Sequence, residues 1–219
     1  MFQIRHGACV GQPNFGLVGS FISEEIMEAE RRSALLVTHA ETLVKDTATG
    51  LWLSDPTMTA DGEKVIKGLR PKIAEFLAGD PKCICVGTDT RHLSLVNLLF
   101  PDTKAEITYS EVWGGSTTVV SINEKKYILV GDGQIIPFKA YTTPEDLAQA
   151  VRAKIVSLPS PFTVILSGRP VLTRLGMKVE DCQSGAIYQL TWFPGDPTSI
   201  QITLVIAGKV LIPDTAPKS

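Results

Sequence analysis

Three short apolar runs constrain this chain more than any other feature. They are Ala34–Val37, Lys82–Val86 and Thr163–Leu166. Each ends in a polar cluster: Thr38-His39, Thr88-Asp89-Thr90-Arg91 and Ser167-Gly168-Arg169. Continuous apolar runs of this length suit strands buried on both faces, as in a parallel sheet. In open α/β sheets the carboxyl ends of the strands are where ligands bind. If the three strands are parallel neighbours, their polar ends meet at one edge. His39, held there by a rigid strand, has the placement of a nucleophile, a base or a ligand. The same placement also fits a loop histidine that only completes hydrogen bonds.

Helical patterns separate the runs. Thr59 is a candidate N-cap, with Glu63 in the first turns and Val65, Ile66, Leu69, Ile73, Phe76 and Leu77 at helical spacing through Ala78. Gly79-Asp80-Pro81 stops that helix. A second helix follows Arg91 to about Phe100, and a third runs from Pro144 to about Leu158 with Leu147, Val151 and Ile155 on one face. Ile107–Tyr109 reads as a further strand. Val119–Ile122 and Tyr127–Val130 flank Asn123-Glu124-Lys125-Lys126 as a hairpin, and Ala186–Trp192 pairs with Ile200–Ile206 as a terminal hairpin. Residues 42–57 read as polar and irregular. The glycine-rich start reads as an arm with a short strand at Phe2–Ile4, then a helix from Ser23 to about Arg32. This order of elements predicts an α/β fold, a three-layer sandwich with a mainly parallel central sheet.

The 219 residues, 44% of them hydrophobic, fit one large domain spanning 1–219. Its arm and short helix occupy 1–32, and a terminal strand and tail occupy 193–219. A net charge of -2 argues against a general nucleic-acid binder. No apolar run is long enough to span a membrane, and Arg5, His6, Gln12, Pro13 and Asn14 interrupt any signal-peptide core. Cys83 and Cys85 alternate on one strand face, and no second Cys/His pair completes a zinc site. Buried thiols in a reducing cytoplasm are the expectation, with no metal and no cofactor. Nothing in the residues sets an oligomeric state, although an apolar face on the terminal hairpin leaves an edge that another copy could pair with.

The order of these motifs resembles the histidine phosphatase superfamily, the phosphoglycerate mutase-like proteins, over roughly residues 33–192. Ala34–Glu41 resembles the first core strand and its histidine. Asp55–Gly62 resembles the Leu-Thr-x-x-Gly helix start, and Val86–Arg91 the polar turn with an arginine opening a helix. Ser110-Glu111-Val112-Trp113-Gly114-Gly115 resembles the glutamate before a glycine-rich turn, and Val164–Leu172 the late strand. The resemblance implies that His39 is a nucleophile forming a phosphohistidine, Arg91 a phosphate clamp and Glu111 the proton donor to the leaving oxygen. A small phosphorylated molecule or phosphate is the implied partner.

Two departures weaken that expectation. The family's arginine before the nucleophile is Thr38 here, and Gly168 stands in the place of its second histidine. Losing one preorganised donor typically costs about 10²–10³ in rate. The expectation is therefore a phosphate- or phosphomonoester-binding domain with weak or lost catalysis. Alternatives are an active divergent phosphomonoesterase working through His39, and a structural pseudoenzyme. Arg169 and Thr38 join Arg91 as candidate phosphate contacts, Arg169 as a substitute for the missing donors. Arg5-His6-Gly7 repeats the family's tripeptide; its surroundings favour a chance match, the alternative being an arm that folds back and lends Arg5 or His6 to the pocket. His92, at a helix start, reads as exposed or hydrogen-bonded. Trp113 suits either a pocket wall or the core.

Overall fold

The computed structural model describes residues 31–46, 48–114, 118–130, 133–159 and 162–210, with the backbone alone at 44, 52–56 and 209–210. The expected strand at Phe2–Ile4, the Arg5-His6-Gly7 tripeptide and all but the end of the Ser23–Arg32 helix lie outside these residues. Arg32 opens a strand rather than closing a helix.

Four strands run parallel to one another. These are β1 (Arg32–Thr38), β4 (Cys83–Val86), β5 (Glu106–Tyr109) and β9 (Thr163–Ser167). Two more, β11 (Ile187–Trp192) and β12 (Gln201–Ile206), extend the sheet antiparallel, giving the order β12-β11-β1-β9-β4-β5. β9 sits between β1 and β4, pairing Val37 with Leu166 on one side and Val86 with Leu166 on the other. That register brings the ends of the three apolar runs side by side, as the sequence pattern requires. β4, β9 and β1 from Ala34 onward are buried on both faces, which is why their sequences do not alternate, while β5 stands at the sheet edge and is only partly covered.

Helices cover the two faces. α1 (Ala60–Leu77) and α2 (Thr90–Leu99) pack Ile66, Ile73, Leu95 and Leu99 against Leu35, Val37, Ile84 and Leu166. α3 (Pro144–Val156) and α4 (Arg169–Arg174) pack Val151, Ile155, Val171 and Leu172 against Ala34, Leu36, Cys85 and Ile165. This is a three-layer sandwich. Each fully buried Leu, Ile or Val contributes about 1.5–3 kcal/mol. Trp113 and Trp192 are buried in the second layer of core, so Trp113 is a core residue and no pocket wall.

Local signals explain most boundaries. The Thr59 hydroxyl accepts the Gly62 N–H as the N-cap of α1, and Thr143 and Asp146 form a reciprocal capping box on α3. Asn123 and Glu124, both at positive φ, make the two-residue turn between β6 (Thr118–Ile122) and β7 (Lys125–Leu129). β8 (Ile135–Pro137) adds a third strand to that small sheet.

The structure departs from the sequence reading over residues 42–57 and on one face of α1, as well as at Arg32. Residues 42–57 are not irregular: β2 (Thr42–Lys45) and β3 (Trp52–Met58) form an antiparallel hairpin. Its tip is an Asx turn in which Asp46 accepts the N–H groups of Ala48 and Thr49, a local signal that polarity alone hides. On α1, Val65 and Phe76 stand outside the core at 49% and 45% exposure, while Ile66, Leu69, Ile73 and Leu77 are buried. Helical spacing admits a broader apolar stripe than the sheet covers.

Candidate functional site

His39 follows β1 directly. Its N–H donates to the Ser167 carbonyl and its own carbonyl accepts the Gly185 N–H, so neighbouring segments hold the residue from both sides. The N-terminus of α1 braces the next turn. Thr59 N–H donates to the Glu41 carbonyl, and a Cβ on Gly62 would lie 2.4 Å from that same oxygen. Only glycine lets the helix start approach this closely. The Thr-x-x-Gly spacing therefore has a mechanical meaning: it docks α1 on the loop that carries His39.

The imidazole of His39 is buried, 9% exposed. Its Nδ1 lies 2.9 Å from the Ala40 carbonyl. A carbonyl only accepts, so Nδ1 carries the proton and Nε2 keeps its lone pair. Nε2 faces the backbone of Gly168, where a Cβ would fall 2.9 Å away. Burial pushes the His39 pKa down to about 4, with the Arg91 charge the next cause, Arg169 a smaller one, and the bond to Ala40 opposing them. His39 is thus a neutral imidazole at pH 7, with a fixed tautomer and a free lone pair.

The two arginines reach this site differently. Arg91, in the first turn of α2, pairs with Asp89 at 2.6 Å, and the Asp89 side chain is fully buried. Arg169 opens α4 immediately after Gly168, is partly exposed, and makes no ion pair with the described residues. Its charge is felt at both His39 and Cys182.

Thr38 and Glu111 are engaged elsewhere. The Thr38 hydroxyl donates to the Gln183 carbonyl at 2.9 Å and accepts the Ala186 N–H at 3.0 Å. It stitches β1 to the segment leading into β11. Glu111 lies in a short 3-10 helix, Glu111–Trp113, after β5, and receives hydrogen bonds from Tyr141 Oη and Ser110 Oγ. The other end of that segment is what meets the strand ends. Trp113 O accepts the Ser167 hydroxyl, and Gly114 O accepts the Thr88 N–H. The hydrogen bonds of the Glu111 carboxylate go to Ser110 and Tyr141, and none goes to His39, Arg91 or Arg169 among the described residues.

His92 corrects the sequence reading. Its ring is neither exposed nor hydrogen-bonded: the residue is 1% exposed and neither ring nitrogen has a partner among the described residues. Its ring centre lies 5.5 Å from that of His39, tilted by 49°. Burial holds its pKa well below the ordinary value, with His39 and Arg91 adding to the effect. A histidine after a helix-opening arginine carries no spacing signal, so the sequence assigns His92 no role; the structure packs it so closely that a Cβ on Gly87 would lie 2.4 Å from its Nδ1.

By sequence, no family model and no curated protein matches this chain. Solved structures do match it in shape. One is a candidate alpha-ribazole-5'-P phosphatase from Escherichia coli, at 12% identity and TM-score 0.51, covering 83% of this chain and 100% of that one. A mycobacterial hydrolase superposes at 13% identity and TM-score 0.51, covering 84% and 94%. A mycobacterial glucosyl-3-phosphoglycerate phosphatase complexed with VO3 superposes at 12% identity and TM-score 0.50, covering 81% and 100%. At such identities the likeness concerns the backbone, and with the sheet order described above it shows a phosphoglycerate mutase-like α/β sandwich.

Proposed function

We propose that this chain binds phosphate or a phosphomonoester at the carboxyl ends of β1, β9 and β4, and that His39 is a competent but poorly assisted nucleophile. The observation that carries this reading is the state of His39: Nδ1 tied to the Ala40 carbonyl, Nε2 free, two arginine charges felt at the ring. The phosphatases among the structures of the same fold are consistent with it.

In the proposed reaction the Nε2 lone pair forms a bond to phosphorus while the phosphorus–oxygen bond to the leaving group breaks. Glu111, in its acid form, gives the leaving oxygen its proton. Water then attacks the phosphohistidine, the nitrogen–phosphorus bond breaks, and the water proton returns to Glu111. Arg169 and Arg91 neutralise the phosphoryl oxygens. The Thr38 hydroxyl, bonded to Gln183 and Ala186, keeps β1 in register.

Weak turnover follows from two features. Arg91 shares its charge with Asp89, so a phosphate must compete for it. A threonine supplies no cation where the family has an arginine. The test is hydrolysis of an aryl phosphate from pH 4 to 8 by wild type and His39→Ala, with vanadate protection against thermal unfolding measured alongside. Slow turnover and vanadate protection that both vanish in the variant support the reading. A wild type without either overturns it.

A further inference from the structure

The described residues hold a second imidazole that the reaction above does not use. His92 is wholly buried and both its nitrogens are idle. Burying a polar group without a partner is costly, and a leucine or phenylalanine would fill the same space without that cost. The chain nevertheless keeps an imidazole at this buried position. Gly87 brings its backbone so close that a Cβ would lie 2.4 Å from Nδ1 and 2.6 Å from the Gly114 carbonyl, so the ring is packed directly against the strand-end turn. Beside it Thr88 also has a buried hydroxyl without a hydrogen-bond partner. The idle His92 ring therefore lies 5.5 Å, centre to centre, from the imidazole whose Nε2 lone pair is free, with the idle Thr88 hydroxyl on the same strand-end turn.

We infer that His92 is a further substrate-contacting residue of this site, an imidazole that donates its N–H to an oxygen of the phosphoryl group carried by His39. The inference rests on the proposed phosphate reading. It gives the unpartnered nitrogen a use: the hydrogen bond is absent in the free protein and forms when the phosphoryl group arrives. Such a donor acts on the charge that develops in transfer. It comes from α2, next to Arg91, and so stands on a different element from Gly168. The two positions are complementary. Gly168 leaves no room for a side chain against His39, and His92 approaches the ring from the β4 side of the sheet edge.

The experiment compares wild type, His92→Phe and His92→Ala. Phenylalanine keeps an aromatic ring, somewhat larger than the imidazole, and removes the N–H. The probes are vanadate affinity, the rate of His39 phosphorylation by an aryl phosphate, and the thermal midpoint. The expected result is about a 100-fold slower phosphorylation in His92→Phe, weaker vanadate binding and an unchanged or higher midpoint. Added imidazole should restore part of the rate to His92→Ala, which a purely structural role would not allow. If His92→Phe unfolds early, the imidazole rescue alone decides. Phosphorylation and vanadate binding within twofold of wild type in His92→Phe would overturn the inference and leave the phosphate reading standing. A wild type that neither binds vanadate nor becomes phosphorylated overturns both.

Discussion

Replacing Gly168 by alanine should damage the site through one atom. The backbone at Gly168 has φ −130° and ψ 179°, which any residue adopts, so the substitution carries no backbone strain. The new methyl would lie 2.9 Å from His39 Nε2, 3.1 Å from Cδ2 and 3.4 Å from Pro170 Cδ. To reach ordinary contact the imidazole must withdraw by about 0.5 Å. Its Nδ1 bond to Ala40, 2.9 Å long, then stretches beyond the normal range or breaks. The loss of that bond and the local overpacking cost about 1–3 kcal/mol, or about 2–10 °C in thermal midpoint for a domain of this size. The effect on chemistry is larger in proportion, because Nε2 loses both its aim and its open face. A reacting atom displaced by this much slows transfer by about 10- to 100-fold. Thermal unfolding and single-turnover phosphorylation with an aryl phosphate measure the two effects. If Gly168→Ala matched wild type in both, the tight approach of Gly168 to His39 would play no part in the site.

The folded His39 pKa of about 4 lies below its ordinary 6.5, so between those values the unfolded chain binds a proton that the folded chain refuses. Stability is then full above about pH 6.5 and falls by about 3 kcal/mol as pH drops towards 4. His92 shifts in the same direction, and urea midpoints at pH 7.5 and 4.5 should separate strongly in wild type and less in His39→Asn. Asp89→Asn releases Arg91 from its ion pair, and calorimetry should show inorganic phosphate binding tightened about 3- to 10-fold; weaker binding would place Arg91 outside the site. Thr38→Val removes the acceptor for the Ala186 N–H and the donor to the Gln183 carbonyl. That should lower the urea-derived stability by about 1–3 kcal/mol, and an unchanged stability would refute the stitching role.

The layers of this fold were legible in the residues because each rests on a short-range rule. Apolar runs without alternation marked β1, β4 and β9 as strands buried on both faces, and helical spacing with Thr59 and Pro144 marked α1 and α3. Parallel pairing then obliged the polar ends at Thr38-His39, Thr88–Arg91 and Ser167–Arg169 to share an edge. Those are consequences of periodicity and chain direction, which a sequence carries by itself. The β2–β3 hairpin was missed because its polar stretch has no such period.

What the residues do at that edge was decided only by tertiary structure. Thr38 and His39 are adjacent in sequence, yet one hydroxyl is committed to the backbone of a segment about 145 residues later, while the other side chain keeps a free nitrogen. His92 lies 53 positions from His39 in sequence, and only the placement of α2 against β4 and β9 brings the rings to 5.5 Å. Whether an arginine is free depends likewise on the buried Asp89 that faces Arg91 and on the absence of such a partner at Arg169 among the described residues. Hydrogen-bond partners, burial and proximity across strands are properties of the packed edge. They fix tautomer, charge and reach, and no local pattern encodes them.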